Sequence, residues 1–220
     1  MFINKLKNKY KENKGGFFLI ILFFIFSATS YELFNRPFGT VRNIEIGLDA
    51  MIPFIKEFII IYHTFMLMVI VTGFILFVYD QKEYYKYVIS LFIAQIIAYV
   101  IFMTFQTYVP RYPVELLGDD LFSKLVAFTY SIDNSYSGIP SMHVADMTLA
   151  CIALSKSRYM SKIKPYLIAY MILIAITTVL VKQHVILDLP GGFILAVICY
   201  IIVDIGYRKY KEKDNGKSKK

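Results

Sequence analysis

His63, His143 and His184 are the only three histidines in the 220-residue chain, and two of them stand in settings that suit phosphoryl chemistry. His143 follows Gly138-Ile139-Pro140-Ser141-Met142, where a loop enters an apolar run. His184 lies in Lys182-Gln183-His184-Val185-Ile186-Leu187-Asp188, so Asp188 shares its face if the segment is helical. An imidazole oriented by a carboxylate is an activated nucleophile, and a second imidazole can protonate the leaving oxygen. Pro140 suits the first turn of a helix, whose free N–H groups together with Ser141 make a site for an anion. Arg111 brings a planar fork that matches phosphate oxygens, and Lys182 brings a further positive charge. Such a set performs phosphoryl transfer without a metal or any other cofactor; the His and Asp spacings match no zinc pattern.

Two further residues are weighed beside these. Asp146 lies three positions after His143 and so shares its helix face. A carboxylate inside an apolar span is costly and is usually paired or functional. One reading makes it a modulator that favours the imidazolium of His143; the other makes it a structural pair with a neighbouring helix. His63 has no motif of its own and is carried as a second possible modulator that touches substrate. The acids Glu115, Asp119, Asp120 and Asp133 read as solvated loop residues.

The elements that must position these groups are membrane helices. The chain is 57% hydrophobic with mean hydropathy +0.55, more than a soluble domain of this size needs. Residues 58–79 and 87–109 carry no Asp, Glu, Lys or Arg, and either run can cross a hydrocarbon core of roughly 30 Å. Six spans can be drawn, at about 16–34, 58–79, 87–108, 140–155, 165–182 and 187–207. Backbone groups in lipid must be satisfied within the segment, so the fold class is all-α, a polytopic helical bundle.

An even number of spans puts both termini on one side. Five Lys in 1–16, two in 80–86, four Lys/Arg in 156–164 and seven in 208–220 make 18 of the 24 basic residues. That segregation marks the cytoplasmic side and accounts for the net charge of +8 without nucleic acid. The domain plan is a basic cytoplasmic tail at 1–15, a membrane domain at 16–207, and a second basic tail at 208–220, expected to be disordered. Residues 35–57 and 110–139 then lie outside, with a short interfacial helix expected over 121–130. His143 and His184 fall at the outer ends of their spans, so the chain descends and returns between them. Polar residues gathered at one face favour a surface site over a transport path. Cys151 and Cys199 sit in apolar runs and read as packing residues. The N-terminal apolar run reads as an uncleaved first span.

The segment Gly138-Ile139-Pro140-Ser141-Met142-His143-Val144-Ala145 resembles the second signature of the type-2 phosphatidic acid phosphatase superfamily. His184 through Asp188, followed by Gly191-Gly192, is similar to the third, whose core is His-x-x-x-Asp. Gln106-Thr107-Tyr108-Val109-Pro110-Arg111-Tyr112-Pro113 looks like a degenerate first signature, and Asp49-Ala50-Met51-Ile52-Pro53-Phe54-Ile55 resembles an upstream element of one branch. The similarity covers about residues 49–206. It implies that His184 attacks phosphorus and becomes phosphohistidine, with Asp188 orienting it, and that His143 is the general acid. It also implies that Arg111, Ser141 and the backbone near Met142 hold the phosphate, with help from Lys182.

Thr104 stands where the family's first signature has a Lys, and Thr177 and Thr178 where its third has Ser-Arg. Lys182-Gln183-His184 instead resembles the branch of inositolphosphoryl-ceramide and sphingomyelin synthases. The implied function is an integral membrane lipid phosphatase acting at the extracytoplasmic face. Its substrate would be phosphatidic acid, phosphatidylglycerophosphate or a polyprenyl pyrophosphate; the alternative is a phosphotransferase that passes a phospho-headgroup to another alcohol. The partners expected are that lipid phosphate and the surrounding membrane lipids. Oligomeric state stays open. A basic chain rich in Lys, Ile and Tyr, with no organelle signal, points to a bacterial plasma membrane.

Overall fold

A computed structural model describes residues 2–217. It is built almost entirely of helices: α1 Phe2–Glu12, α2 Lys14–Phe34, α3 Ile59–His63, α4 Phe65–Tyr79, α5 Gln81–Thr104, α6 Leu121–Ile132, α7 Met142–Lys156, α8 Lys164–Leu180 and α9 Asp188–Lys217. Two dipeptide strands, β1 Arg42–Asn43 and β2 Thr107–Tyr108, pair in parallel with Arg42 opposite Thr107. Among the described residues, four segments are long and apolar enough to cross a membrane: Lys14–Phe34, Lys56–Tyr79, Gln81–Thr104 and Asp188–Asp214. The helices at the sites of the fourth and fifth expected spans are shorter, with 15 residues in α7 and 17 in α8. At the termini, helix continues where tails were expected: α1 occupies most of 1–15, and α9 runs through the start of the segment expected to be disordered.

The outside of this bundle is its apolar face. On α9, Ile194, Ile198, Ile201, Ile202 and Ile205 are exposed, as are Phe18, Leu22 and Ile25 on α2 and Ile96 and Val100 on α5. Water would oppose such a surface, whereas lipid tails solvate it without penalty. The interior is largely apolar as well, and it also holds buried polar groups, among them Thr72, Ser90 and Gln95. The chain is a membrane protein by this exposed apolar surface as well as by its spans. Helices α5 and α7 lie at the centre, where Ala94, Ala98, Ala145, Ala150 and Ala153 are fully buried and let the backbones approach.

Each helix that carries a site residue has a local reason to start where it does. Ser141 caps α7 by accepting from the N–H of Val144 at 3.3 Å. Pro140 therefore lies just before the cap, not inside the first turn as expected from sequence. Asp120 caps α6 by accepting from Phe122 and Ser123, and this helix fulfils the expectation over 121–130. The Asp120 carboxylate also pairs with Lys56, which holds its carboxyl well below the usual range. The tie between α6 and the turn before α3 thus persists at neutral pH and is lost only in strong acid. Pro190 sits in the first turn of α9, where a missing N–H costs no hydrogen bond.

At the end of the bundle where α5 begins, Lys86 bridges Glu83 at 2.9 Å and Asp204 at 2.5 Å, and Tyr200 donates to Glu83. This network ties α5 to α9. At the other end, Gly192 lets α9 lie against the first turn of α7. A Cβ there would collide with the carbonyl oxygen of Ser141 and come within 3.1 Å of the nitrogen of Ala145. Because the opposing atoms are backbone, no rotamer change relieves the clash. We expect Gly192→Ala to destabilise the fold by about 1–3 kcal/mol, read as a lowered Tm in detergent. An equally stable variant would show that α7 and α9 are not held at this separation.

Candidate active site

The two signature histidines meet although 41 positions separate them: Nδ1 of His143 lies 3.2 Å from Nε2 of His184. Nδ1 of His184 is 2.9 Å from Oδ2 of Asp188, and the same carboxylate oxygen accepts from the N–H of Val185 at 3.0 Å. A carboxylate only accepts, so His184 carries its proton on Nδ1 and presents a lone pair at Nε2. The short contact with His143 then requires the proton of His143 on Nδ1. Both rings are held firmly: His184 is buried, and His143 is packed by the rings of Tyr62 and Phe65, with centroids 4.9 and 4.5 Å away.

Arg111 reaches the same place from the segment after α5. Its Nε donates to Oγ of Ser135 at 3.1 Å, and Nη2 donates to the carbonyls of Asp133 and Asn134 at 3.2 and 3.3 Å. The guanidinium lies over the Tyr130 ring at 4.8 Å. Nη1 is buried without a partner, and so is Nε2 of Gln183. Arg111, Gln183, Met142, His143 and His184 line one cavity of about 20 Å³, space for about one water. Two unmatched donors and an imidazole lone pair around one small space are the features of an anion site that also presents a nucleophile.

Lys182 does not join them. Its backbone is left-handed, with φ 53°, and its ammonium donates to the carbonyls of Asp49 and Ile52 at 3.1 and 2.7 Å. The lysine expected to bind phosphate instead ties the His184 loop to the turn at 49–51. Asp49 completes that tie by accepting from the N–H of Ile186 at 2.7 Å. Ser141 is also outside the cavity lining: it is fully buried, its hydroxyl caps α7, and its N–H donates to the carbonyl of Asp188 at 3.2 Å. Met142 does line the cavity, at the N-terminus of α7.

Asp133, expected to be a solvated loop residue, is a hub. Its carboxylate accepts from the Tyr31 hydroxyl at 2.5 Å and from Asn35 at 2.9 Å. Those bonds hold the C-terminal end of α2 against the loop that grips Arg111. Gln106 stitches the same region by donating to the carbonyls of Arg36 and Tyr136 and accepting from Phe38. Sequence reading missed Gln183 as a site residue although it lies inside the quoted motif; a polar side chain beside the histidine was the available signal. For Tyr31, 102 positions from Asp133, no local pattern existed.

A second cavity of about 520 Å³ opens on the other side of His143, between α2, α3, α4, α6 and α7. Tyr31, Asp133, Met142 and His143 line both spaces, so they form the wall between them. Most of the larger lining is apolar, including Phe23, Phe24, Phe65 and Met66. Both expected modulators face it. His63 lies 2.8 Å from Oγ1 of Thr129, and Asp146 makes no hydrogen bond to His143.

The family model of the PAP2 superfamily matches residues 47–202, so the chain belongs to that superfamily. Membership makes it a phosphatase- or phosphotransferase-type lipid enzyme of the membrane. No curated protein and no solved structure matches the chain.

The different surroundings of the two cations separate their effects. We expect Arg111→Lys to raise the inhibition constant of inorganic phosphate by about tenfold or more, because the directed, unmatched Nη1 donor is lost. Lys182→Gly, which suits the left-handed backbone, should change that constant less than about twofold while lowering Tm through lost loop ties. Equal changes in phosphate inhibition would refute the assignment.

Proposed function

We propose that the protein is a metal-independent lipid phosphatase that works through a phosphohistidine at His184. The observation that carries this reading is the convergence of the His184 lone pair, the His143 proton and the unmatched donors of Arg111 and Gln183 on one small cavity. A phosphate entering it separates the two rings and takes donors from Arg111, Gln183 and the first turn of α7 at Met142. Nε2 of His184 attacks phosphorus, and Asp188 stabilises the imidazolium that forms. The P–O bond to the lipid breaks as His143, entering the step as imidazolium, gives its Nδ1 proton to the leaving oxygen and becomes a neutral imidazole. Water then attacks the phosphohistidine, His143 takes its proton, and the N–P bond breaks to release phosphate.

The large apolar groove beside His143 suits the chains of the lipid, so a phosphate ester of a long-chain alcohol fits both spaces at once. Phosphatidic acid, phosphatidylglycerophosphate and polyprenyl pyrophosphate are the substrates we put forward. In our reading α7 and α8 complete six spans, because α7 is shielded from lipid by its neighbours and needs less apolar length. The Lys-rich segments then face the cytoplasm of a bacterial plasma membrane, and the site faces outward. A second reading, transfer of the phospho-headgroup to another alcohol, is favoured by Thr177 and Thr178 standing in place of the Ser-Arg of the phosphatase signature. Both share the first half-reaction and differ in what attacks the phosphohistidine.

The test is phosphate release by the purified protein from a panel of these lipids, with and without chelator and alcohols. We expect turnover to survive chelation and an acid-labile phosphoryl adduct to be trapped on His184. His184→Ala should lower kcat by about 10³-fold or more for every ester. His143→Gln should cost about 10²–10⁴-fold with a lipid phosphate but much less with an activated aryl phosphate, whose leaving group needs no proton. Turnover lost on chelation, or surviving in His184→Ala, would sink the mechanism. Headgroup transfer outrunning phosphate release would establish the second reading.

A further inference from the structure

Helices α8 and α9 both pack against α7 but scarcely against each other. The gap between them is a groove of about 590 Å³ floored by α7. Ile172, Ile176 and Phe193 on its walls are exposed, so it opens sideways out of the bundle. It shares no lining residue with the cavity of the two histidines or with the groove beside His143. The lining is apolar except for Thr148 midway and Ser155 and Lys156 at one end.

The floor runs from Val144 to Lys156, about 18 Å at the helical rise. A further membrane helix needs about 30 Å of wall, whereas an acyl chain from one leaflet needs about half that. Charge fixes the end at which such a chain begins. No acidic residue stands between Asp146 and Asp188, and Lys156, Arg158, Lys162 and Lys164 gather where α7 ends. Lys164 is committed, donating to the carbonyl of Ser157 at 2.9 Å. Among the described residues no hydrogen bond or ion pair reaches the side chains of Lys156, Arg158 and Lys162. The far end, at Leu189, Pro190 and Phe193, carries no charge. Lipid meets every apolar face of the bundle, but a concave slot of this depth with unmatched cations at one end is shaped for a particular lipid.

We propose that this groove binds one anionic phospholipid that is not a substrate. An acyl chain lies along α7 between α8 and α9, and the phosphodiester headgroup meets Lys156, Arg158 and Lys162. In the topology proposed above the lipid belongs to the cytoplasmic leaflet, on the side of the membrane away from the histidines. A zwitterionic phospholipid brings the same chains, but its own ammonium offsets the phosphate charge, and the three cations discriminate against it. The chain supplies contacts that α8 and α9 do not make with each other, so its binding stabilises the packing of both helices on α7. No side chain of the catalytic machinery takes part.

The experiment titrates the full-length protein in detergent with phosphatidylglycerol or phosphatidylcholine of identical chains. Bound lipid is counted by native mass spectrometry, and Cys151 is followed with a membrane-soluble maleimide. Cys151 lines the groove, whereas Cys199 is fully buried. We expect one phosphatidylglycerol to bind about tenfold or more tighter than phosphatidylcholine, to slow labelling of Cys151 about fivefold, and to raise Tm. Exchanging Lys156, Arg158 and Lys162 together for Gln changes only exposed side chains and should abolish the preference between the two lipids. Ala175→Phe fills the groove from α8 and should remove the bound lipid and the rise in Tm, so head and chain are tested by separate variants. Equal affinity for the two lipids, a preference that survives the triple exchange, or binding that leaves Cys151 labelling unchanged would overturn the proposal. A lipid-free dimer that protects Cys151 would also overturn it and assign the groove to a second copy of the chain.

Discussion

Asp188 holds both halves of the site. Its carboxylate fixes the tautomer of His184 and takes the N–H of Val185, while its main-chain carbonyl takes the N–H of Ser141 at the cap of α7. One residue at the start of α9 thus orients the imidazole that precedes it and docks the helix that carries the other imidazole. It is fully buried, so water does not compete for these bonds. The 3.2 Å contact between the histidines follows from that junction more than from any direct attraction between them.

Everything around the junction limits how far its parts can move. Gly192 removes the side chain that would separate α9 from α7, and Gly138 does the same where the preceding loop passes Thr107 and Asp188. Lys182 and Asp49 tie the His184 loop to the turn at 49–51, and Asp133 ties α2 to the loop that grips Arg111. Arg111 has most of its donors engaged by the protein and one left over. A guanidinium anchored in this way loses little freedom on meeting a phosphate, and preorganisation of that kind is what electrostatic catalysis needs.

The membrane shapes the rest of the design. Isoleucines and phenylalanines cover the outside of α2, α5 and α9, while the polar side chains of the site sit at one end of the bundle and the Lys86 network at the other. In the proposed reading, reaction at the polar end and chains in the apolar groove divide a lipid as the bilayer itself does. Polar groups inside that groove are therefore conspicuous, among them His63, Gln95 and Asp146.

Much of this chemistry was legible in the chain itself. Apolar runs with no charge define membrane helices whatever their neighbours do, because lipid forces backbone groups to bond within the segment. Spacing linked Asp188 to His184, and the motifs marked His143 and Arg111, since the contacts involved are local or the residue types are rare in apolar surroundings. Tertiary structure decided the remainder. It turned Lys182 away from the site through a left-handed residue, made Ser141 a cap, and brought Tyr31 and Asn35 to Asp133 from a helix about a hundred residues earlier. It also left one carboxyl oxygen of Asp146 buried with no protein partner. Which lone pairs and donors remain unmatched depends on what every neighbouring segment already satisfies, and that sum exists only once the helices have packed.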